Sequence, residues 1–248
     1  MKSIGIIPSR YSSTRFPGKP LIDIGGKSMI QRVYEQTLKS KLLSKVIIAT
    51  DDERIFNHVL SFNGEVIMTD VSHTNGTTRC NQVISLLEDN NEEFDVVVNI
   101  QGDEPTINPK QIDSVISLFS DSGVEIGTLA KKITLDKELF DHNVVKVVMS
   151  NNNKALYFSR QAIPMIRDFE KNTWLEKTNY FKHIGIYGYR ASVLKQICEM
   201  PVGILEHAES LEQLRWLENG ISIYVNLTDF ESIAIDTPED LLKLETNS

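Results

Sequence analysis

The chain has 248 residues, 34 acidic against 26 basic side chains, a net charge of −8, and 41% apolar and 24% charged residues. That length and balance describe a soluble globular protein of one large domain, and they exclude a broad nucleic-acid face, which needs clustered Lys and Arg. No apolar run approaches the roughly 20 residues of a membrane span, and the apolar part of the N-terminus is too short for a secretory signal. Cys80 and Cys198 are too few and too far apart for a disulfide framework or a zinc site, so the expectation is a cytoplasmic protein with reduced thiols.

In chain order, "SIGIIP" (3–8), "KVIIAT" (45–50), "EVIM" (65–68) and "FDVVVNI" (94–100) are nearly continuous apolar runs. Such runs belong to parallel strands covered on both faces. Between them, Ile30, Val33, Tyr34, Thr37 and Leu38 keep helical spacing, as do Cys80, Val83, Ile84 and Leu87, and then Ile112, Val115, Ile116 and Phe119. Strands alternating with helices predict a doubly wound, mostly parallel α/β sheet with right-handed crossovers. The second half changes character. "VVKVVMS" and "ALYFS" flank "NNNK" (151–154) as a hairpin, and residues 161–182 are irregular. "HIGIYGYR" (183–190) is a further strand, followed by helical "ASVLKQICEM" and "ESLEQLRWLENG". Strands "ISIYVNL" and "ESIAI" then precede a last helix opened by Thr237 and Pro238. The expected organisation is one domain over 1–248. Its nucleotide-binding core takes in about 1–135 and 221–248, and a smaller, partly antiparallel part is inserted at about 136–220.

Ligands of open α/β sheets bind beyond the carboxyl ends of the strands, so the residues that follow strands carry the functional signal. After the first strand come Pro8, Ser9, Arg10, Ser12, Ser13, Thr14, Arg15, Pro17, Gly18 and Lys19. Small and hydroxyl residues let backbone N–H groups approach phosphate oxygens, and Arg10 and Lys19 add charge-assisted bonds. A plain solvated loop is the competing reading; neither P-loop nor dinucleotide spacing is present. "NIQGDEP" (99–105) ends the fourth strand and sets Asp103 at the sheet edge, where Mg²⁺ bridging phosphates would sit unless the residue is only a turn or helix cap. Asp236 in "IAIDTPEDL" is a second strand-end carboxylate, and the pair suits metal-assisted nucleotidyl transfer. "HTNGTTR" (73–79) opens a helix whose N-terminal amides and Arg79 could hold an anion or a base edge. In the second half, Arg160, His183 and Gln213 are the right groups for a polyhydroxylated acid: arginine matches a carboxylate bidentately, and the others reach hydroxyls.

Taken in order, "IPSRYSSTRFPGKPL", "ATDDERI", "NIQGDEP", "NVVKVV", "YFSR", "HIGIYGYR", "LEQLRWLENG" and "IDTPEDL" resemble the 3-deoxy-D-manno-octulosonate (Kdo) cytidylyltransferase family over nearly the whole chain. The resemblance implies transfer of CMP from CTP to the anomeric hydroxyl of Kdo, an eight-carbon acid sugar, with release of pyrophosphate. It also implies a Mg²⁺ requirement, a product used in lipopolysaccharide assembly, and a homodimer joined through the inserted part. Carried over by motif, Pro8, Arg10, Ser13, Lys19, Arg79 and Gln101 would bind the nucleotide, and Asp103 and Asp236 the metal. Arg10, Lys19, Asp103 and Asp236 form the catalytic set. Arg160, His183, Tyr187, Glu212 and Gln213 would line the sugar pocket. Two departures stand out. The family usually has Ser-Gly-Thr-Asp-Arg where this chain has Asn75-Gly76-Thr77-Thr78-Arg79, and glycine where it has Ala234. They bear on acceptor preference or rate rather than on the reaction class, and the alternative acceptor is a related acid sugar, 8-amino-Kdo or a sialic acid. A non-catalytic nucleotide-binding module is a separate and weaker alternative, because a degenerate copy has no need to keep Arg10, Lys19, Asp103 and Asp236 together.

Overall fold

The computed structural model describes residues 1–12, 16–231 and 233–241. The strands are β1 (Ser3–Ser9), β2 (Lys45–Thr50), β3 (Val66–Met68), β4 (Val96–Asn99), β5 (Ile126–Lys132), β6 (Lys146–Met149), β7 (Ala155–Ser159), β8 (Phe181–Arg190) and β9 (Ile223–Leu227). The helices are α1 (Met29–Thr37), α2 (Glu53–Ser61), α3 (Gly76–Glu88), α4 (Pro109–Leu118), α5 (Asp136–Leu139), α6 (Trp174–Lys177), α7 (Ala191–Cys198), α8 (Ile204–Glu209) and α9 (Gln213–Glu218). Among the described residues no helix is long and apolar enough to cross a membrane. Both cysteines are free thiols; Cys80 is buried.

The strands form one sheet in the order β3-β2-β1-β4-β8-β5-β9, with β6 pairing both β7 and β8. The β1·β2, β1·β4, β2·β3 and β5·β9 pairs are parallel, whereas β8 runs antiparallel to β4, β5 and β6. The apolar runs read from the sequence become the buried centre: Ile4, Ile6, Ile48, Val96 and Val98 are all fully buried. Two core layers result, one under α3 and α7 and one under α1 and α4. Helix faces follow the same pattern, since Cys80, Val83, Ile84 and Leu87 of α3 are all buried.

The hairpin appears as predicted, β6 pairing antiparallel with β7 across residues 150–154. Two local differences are instructive. The sequence reading has no strand at Ile126–Lys132, because Gly127, Thr128, Ala130 and the two lysines dilute its apolar character, yet five of its residues are buried between β8 and β9. Conversely, residues 233–235 of the expected "ESIAI" strand run as irregular chain held by Ile235 N–H donating to Asp103 O at 2.9 Å. The expected last helix begins only at the end of the described residues; 242–248 lie outside them.

Candidate active site

The carboxyl ends of β1 and β4 lie side by side. A Cβ on Gly102 would come 2.8 Å from the Pro8 carbonyl, so only glycine lets these two exits approach so closely. Gly18, with φ 73°, turns the chain into the short 3₁₀ segment Lys19–Leu21 and aims Lys19 across this gap. The Lys19 ammonium donates to Asp103 Oδ2 at 2.7 Å, to Ile235 O at 3.0 Å and to Asp236 Oδ1 at 3.2 Å. Asp103 is not used as a helix cap: Asn108 caps α4, and Gln111 completes its capping box. Asp236 is fixed from behind, because the Asp240 carboxylate accepts from the Asp236 and Thr237 amides at 3.1 and 3.0 Å.

The facing wall is the start of α3. Asn75 caps the helix by accepting from the Thr78 amide at 2.9 Å, and the Thr78 hydroxyl is engaged locally with Asn75 O. The departure at Thr78 therefore sits inside the helix cap. Ala234, the second departure, is exposed. Arg79 is only 3% exposed; its guanidinium donates to Asp51 Oδ2 at 2.7 Å and to the Thr69 hydroxyl, with one edge on the cleft.

The third wall comes from β8 and the start of α9. Glu212 accepts from the Thr77 hydroxyl at 2.9 Å, and burial pushes its carboxyl above the usual carboxylate range. Burial, with the Glu212 charge adding to it, pushes the phenols of Tyr187 and Tyr189 well up. Among the described residues the hydroxyls of Ser9, Tyr187 and Tyr189 are buried with no hydrogen-bond partner. A buried polar group without a partner costs about 1–3 kcal/mol, so three at one cleft mark a surface made for a polar ligand.

These walls enclose a cleft of about 350 Å³. Of the residues singled out in the sequence, Pro8, Arg10, Lys19, Arg79, Gln101, Asp103, Tyr187, Glu212 and Asp236 line it. Three others stand elsewhere. The Arg160 guanidinium is used by the carbonyls of His142, Glu209 and Ser210, at 3.1, 2.7 and 3.3 Å. Gln213 is buried behind Glu212 in the sequence and does not line the cleft. His183 is packed edge-on against Phe158 and beside the Tyr187 ring, each at 5.2 Å between centroids. Burial pushes its imidazole down to about 3, which keeps it neutral. It meets Thr128 Oγ1 at 3.0 Å, and Thr128 in turn donates to Ile186 O at 2.7 Å, so the ring donates from Nε2. Ser13 lies outside the described residues, as does Arg15.

The sequence reading passes over Tyr189, Asn99 and His73, which also line the cleft. Tyr189 was detectable, since it stands two residues from Tyr187 on one strand face. Asn99, the last residue of β4, follows from the strand-end rule; His73 opens the segment "HTNGTTR" singled out in the sequence, though only Arg79 was named there as a binding residue.

Among the described residues no group of three or more His, Cys, Asp or Glu side chains converges as a closed metal cage. The donor set nevertheless fits Mg²⁺, which takes one or two carboxylates and fills its shell with phosphate and water oxygens. Asp103 and Asp236 already converge on one positive charge, the Lys19 ammonium.

A cytidylyltransferase family model matches residues 4–223. A 3-deoxy-manno-octulosonate cytidylyltransferase of Parabacteroides distasonis is 53% identical over 98% of this chain and 96% of its own length. One from Bacteroides thetaiotaomicron is 51% identical over 99% and 97%. A solved structure described as CMP:2-keto-3-deoxy-manno-octonic acid synthetase complexed with CTP superposes with a TM-score of 0.90 at 39% identity, covering 100% of this chain and 98% of that one. By sequence and by fold, this chain belongs to the 3-deoxy-manno-octulosonate cytidylyltransferase family.

Proposed function

We propose that the protein transfers the cytidylyl group of CTP to the anomeric hydroxyl of Kdo and releases pyrophosphate. The observation that carries this reading is the make-up of one cleft: a cation held between two carboxylates on one side, a helix N-terminus on the second, and unpartnered hydroxyls with a buried carboxylate on the third. The first two walls match a nucleoside triphosphate and the third a polyhydroxylated acceptor.

The chain's own contribution is positioning and charge neutralisation. Arg10 and Lys19 offset phosphate charge, and the start of α3, whose Gly76 and Thr77 line the same cleft, adds the positive end of the helix dipole. Glu212 and the Tyr187 and Tyr189 hydroxyls orient the sugar by hydrogen bonds, which aligns its hemiketal oxygen with the α-phosphorus opposite the leaving pyrophosphate. A new bond forms from the hemiketal oxygen to the α-phosphorus as the bond from that phosphorus to the oxygen bridging the β-phosphate breaks; pyrophosphate leaves with the bridging oxygen, and the hydroxyl proton passes to solvent. Asp103 and Asp236 would hold Mg²⁺, which when bound neutralises phosphate charge and makes the attacking hydroxyl more acidic. The neutral His183 acts behind Tyr187 by fixing the ring it packs against.

Lipopolysaccharide biosynthesis in the cytoplasm is the setting of this reading, supported by the relatives' activity on Kdo and by two free thiols. A homodimer belongs to it as well. Leu156, Met165 and Phe169 in the 136–220 part expose 62%, 68% and 51% of their surface, apolar area of the kind a second copy covers.

Pyrophosphate release by the purified protein with CTP and Mg²⁺ is the test, run against Kdo, 8-amino-Kdo, a sialic acid and sugar 1-phosphates. Release with Kdo, abolished by a chelator, is the expected result. Silence across the panel would sink the enzyme reading, and release with another acceptor alone would reassign the substrate.

A further inference from the structure

The loop that carries Arg10 and Lys19 is closed at its neck by Tyr11. Gly18 N–H donates to Tyr11 O at 3.0 Å, and a Cβ on Gly18 would meet Tyr11 Cζ and Oη at 3.0 Å. The phenol therefore lies against the one residue whose left-handed φ of 73° launches Lys19. Over the face of the same ring stands Arg54, its guanidinium carbon 3.3 Å from the centroid.

Arg54 is in the first turn of α2, where the helix dipole disfavours a cation. Its place is fixed by a bidentate pair with Asp52, Nε to Oδ1 at 3.0 Å and Nη2 to Oδ2 at 2.6 Å. Asp52 is itself the cap of α2 and is tied to β2, because its amide donates to Thr50 Oγ1 at 3.2 Å. A continuous set of contacts thus runs from the end of β2 through Asp52, Arg54, Tyr11 and Gly18 to Lys19. The neighbouring Asp51 orients Arg79 on the other side of the cleft. One strand end therefore addresses the cations on both flanks.

We infer that Arg54 is a positioning residue for triphosphate binding: clamped by Asp52 and stacked on Tyr11, it holds the Tyr11–Gly18 neck closed and so sets where Arg10 and Lys19 stand. The inference rests on the cytidylyl-transfer reading for its ligand, but its contacts with the loop stand independently of it. A purely structural role for an exposed arginine would alter stability alone; a positioning role alters affinity for CTP.

The experiment compares wild type with Arg54→Met, Arg54→Lys, Tyr11→Leu and the Arg54→Met/Tyr11→Leu double variant. It measures KM for CTP, kcat, and hydrogen exchange of the Gly18 amide by NMR. Arg54→Met is expected to raise KM about 5-fold, the scale of a cation–π contact at a partly exposed site, with kcat within about twofold. Gly18 exchange should quicken by a similar factor. Arg54→Lys, which keeps a cation over the ring, should recover at least half the loss. The double variant should be no worse than Tyr11→Leu, since both act through one contact. Unchanged KM with unchanged Gly18 exchange in Arg54→Met would overturn the inference, as would a fall in melting temperature with neither altered. Should wild type fail to turn over CTP, the functional reading falls, while Gly18 exchange still decides whether Arg54 holds the loop.

Discussion

At the scale of single residues the site turns on Lys19, Asp103 and Asp236. The sequence reading sets Lys19 on one side as a phosphate ligand, with the two carboxylates opposite. In the folded chain the ammonium lies directly on both of them. Asp103 was legible because it follows β4 at the carboxyl edge of the sheet, whereas Lys19 stands ten residues beyond β1 and Asp236 follows irregular chain rather than a strand. The direct contact was not legible, because it depends on the turn at Gly18 and on the tether from Ile235 to Asp103. The arrangement makes distinct predictions for the partners. Asp103→Asn keeps an oxygen for Lys19 and should leave the fold intact while turnover falls by ~10² or more. Activity within about tenfold of wild type, roughly 1.4 kcal/mol of barrier, would remove Asp103 from the reacting site. Lys19→Met leaves two converging carboxylates without their shared cation, in a partly exposed setting. It should cost about 1–2 kcal/mol of stability as well as activity, read by denaturant melts beside the assay. Arg160 shows the opposite limit: its residue type suits a sugar acid, yet which oxygens its guanidinium meets is decided by segments around 142 and 209 that no local pattern links to it.

Among the elements, β8 carries Tyr187 and Tyr189 to the third wall of the cleft, the proposed acceptor side. Its pairing with β5 is irregular: Thr128 opposes Tyr187, and the next residue, Leu129, opposes Ile184. The bulge frees backbone carbonyls that side chains then take up. Gln101 donates to Gly185 O at 2.9 Å and Thr128 to Ile186 O at 2.7 Å. Bulges re-aim side chains beside active sites, and here the strand carries Tyr187 to the cleft and His183 behind it. A strand over "HIGIYGYR" was legible from its composition, whereas the bulge was not, since it depends on the register with a strand that the sequence did not reveal. The buried His183 gives this element a pH signature. Its folded pKa, about 3, is depressed below the ordinary 6.5, so the native state binds fewer protons than the unfolded chain between those values. The stabilisation is fully present above pH 6.5 and is lost as pH falls toward 3, at no more than about 1.4 kcal/mol per pH unit for one proton. Urea melts of wild type and His183→Gln between pH 7 and 4 should show the wild type losing stability more steeply. Superimposable acid limbs would mean that His183 is not held neutral by burial.

For the whole molecule, the βαβ alternation in the first hundred residues was enough to predict a doubly wound sheet, because each crossover is local and of one hand. Strand order in the second half could not be read this way. Antiparallel β8 fits between β4 and β5, with Val97 opposite Tyr189 on one side and Ile126 opposite Tyr189 on the other. Ion pairs extend the same closure: buried Lys182 of β8 meets Glu138 of α5 and Glu231 beyond β9. The hairpin reaches β9 through a bridge between Lys154 and Tyr224. Residues 136–220 thus supply the strand that joins the two halves of the sheet, so the chain should unfold as one cooperative unit. A fragment ending at residue 135 tests this. It would keep β1 to β4 but leave β5 without β8 and β9, the strands it pairs with in the sheet, and would bare the edge of β4. Such a fragment should give a broad, non-sigmoidal melt by far-UV circular dichroism and little near-UV signal, where the full chain gives one sharp transition. A sigmoidal melt with native-like near-UV dichroism from the fragment would show that the first half folds alone and that β8 is an accessory to the sheet. The ligand side adds a discriminating readout, since Tyr187, Tyr189 and Glu212 all come from the missing part. A fragment that still bound CTP would therefore have to do so with the β1, α3 and β4 walls alone.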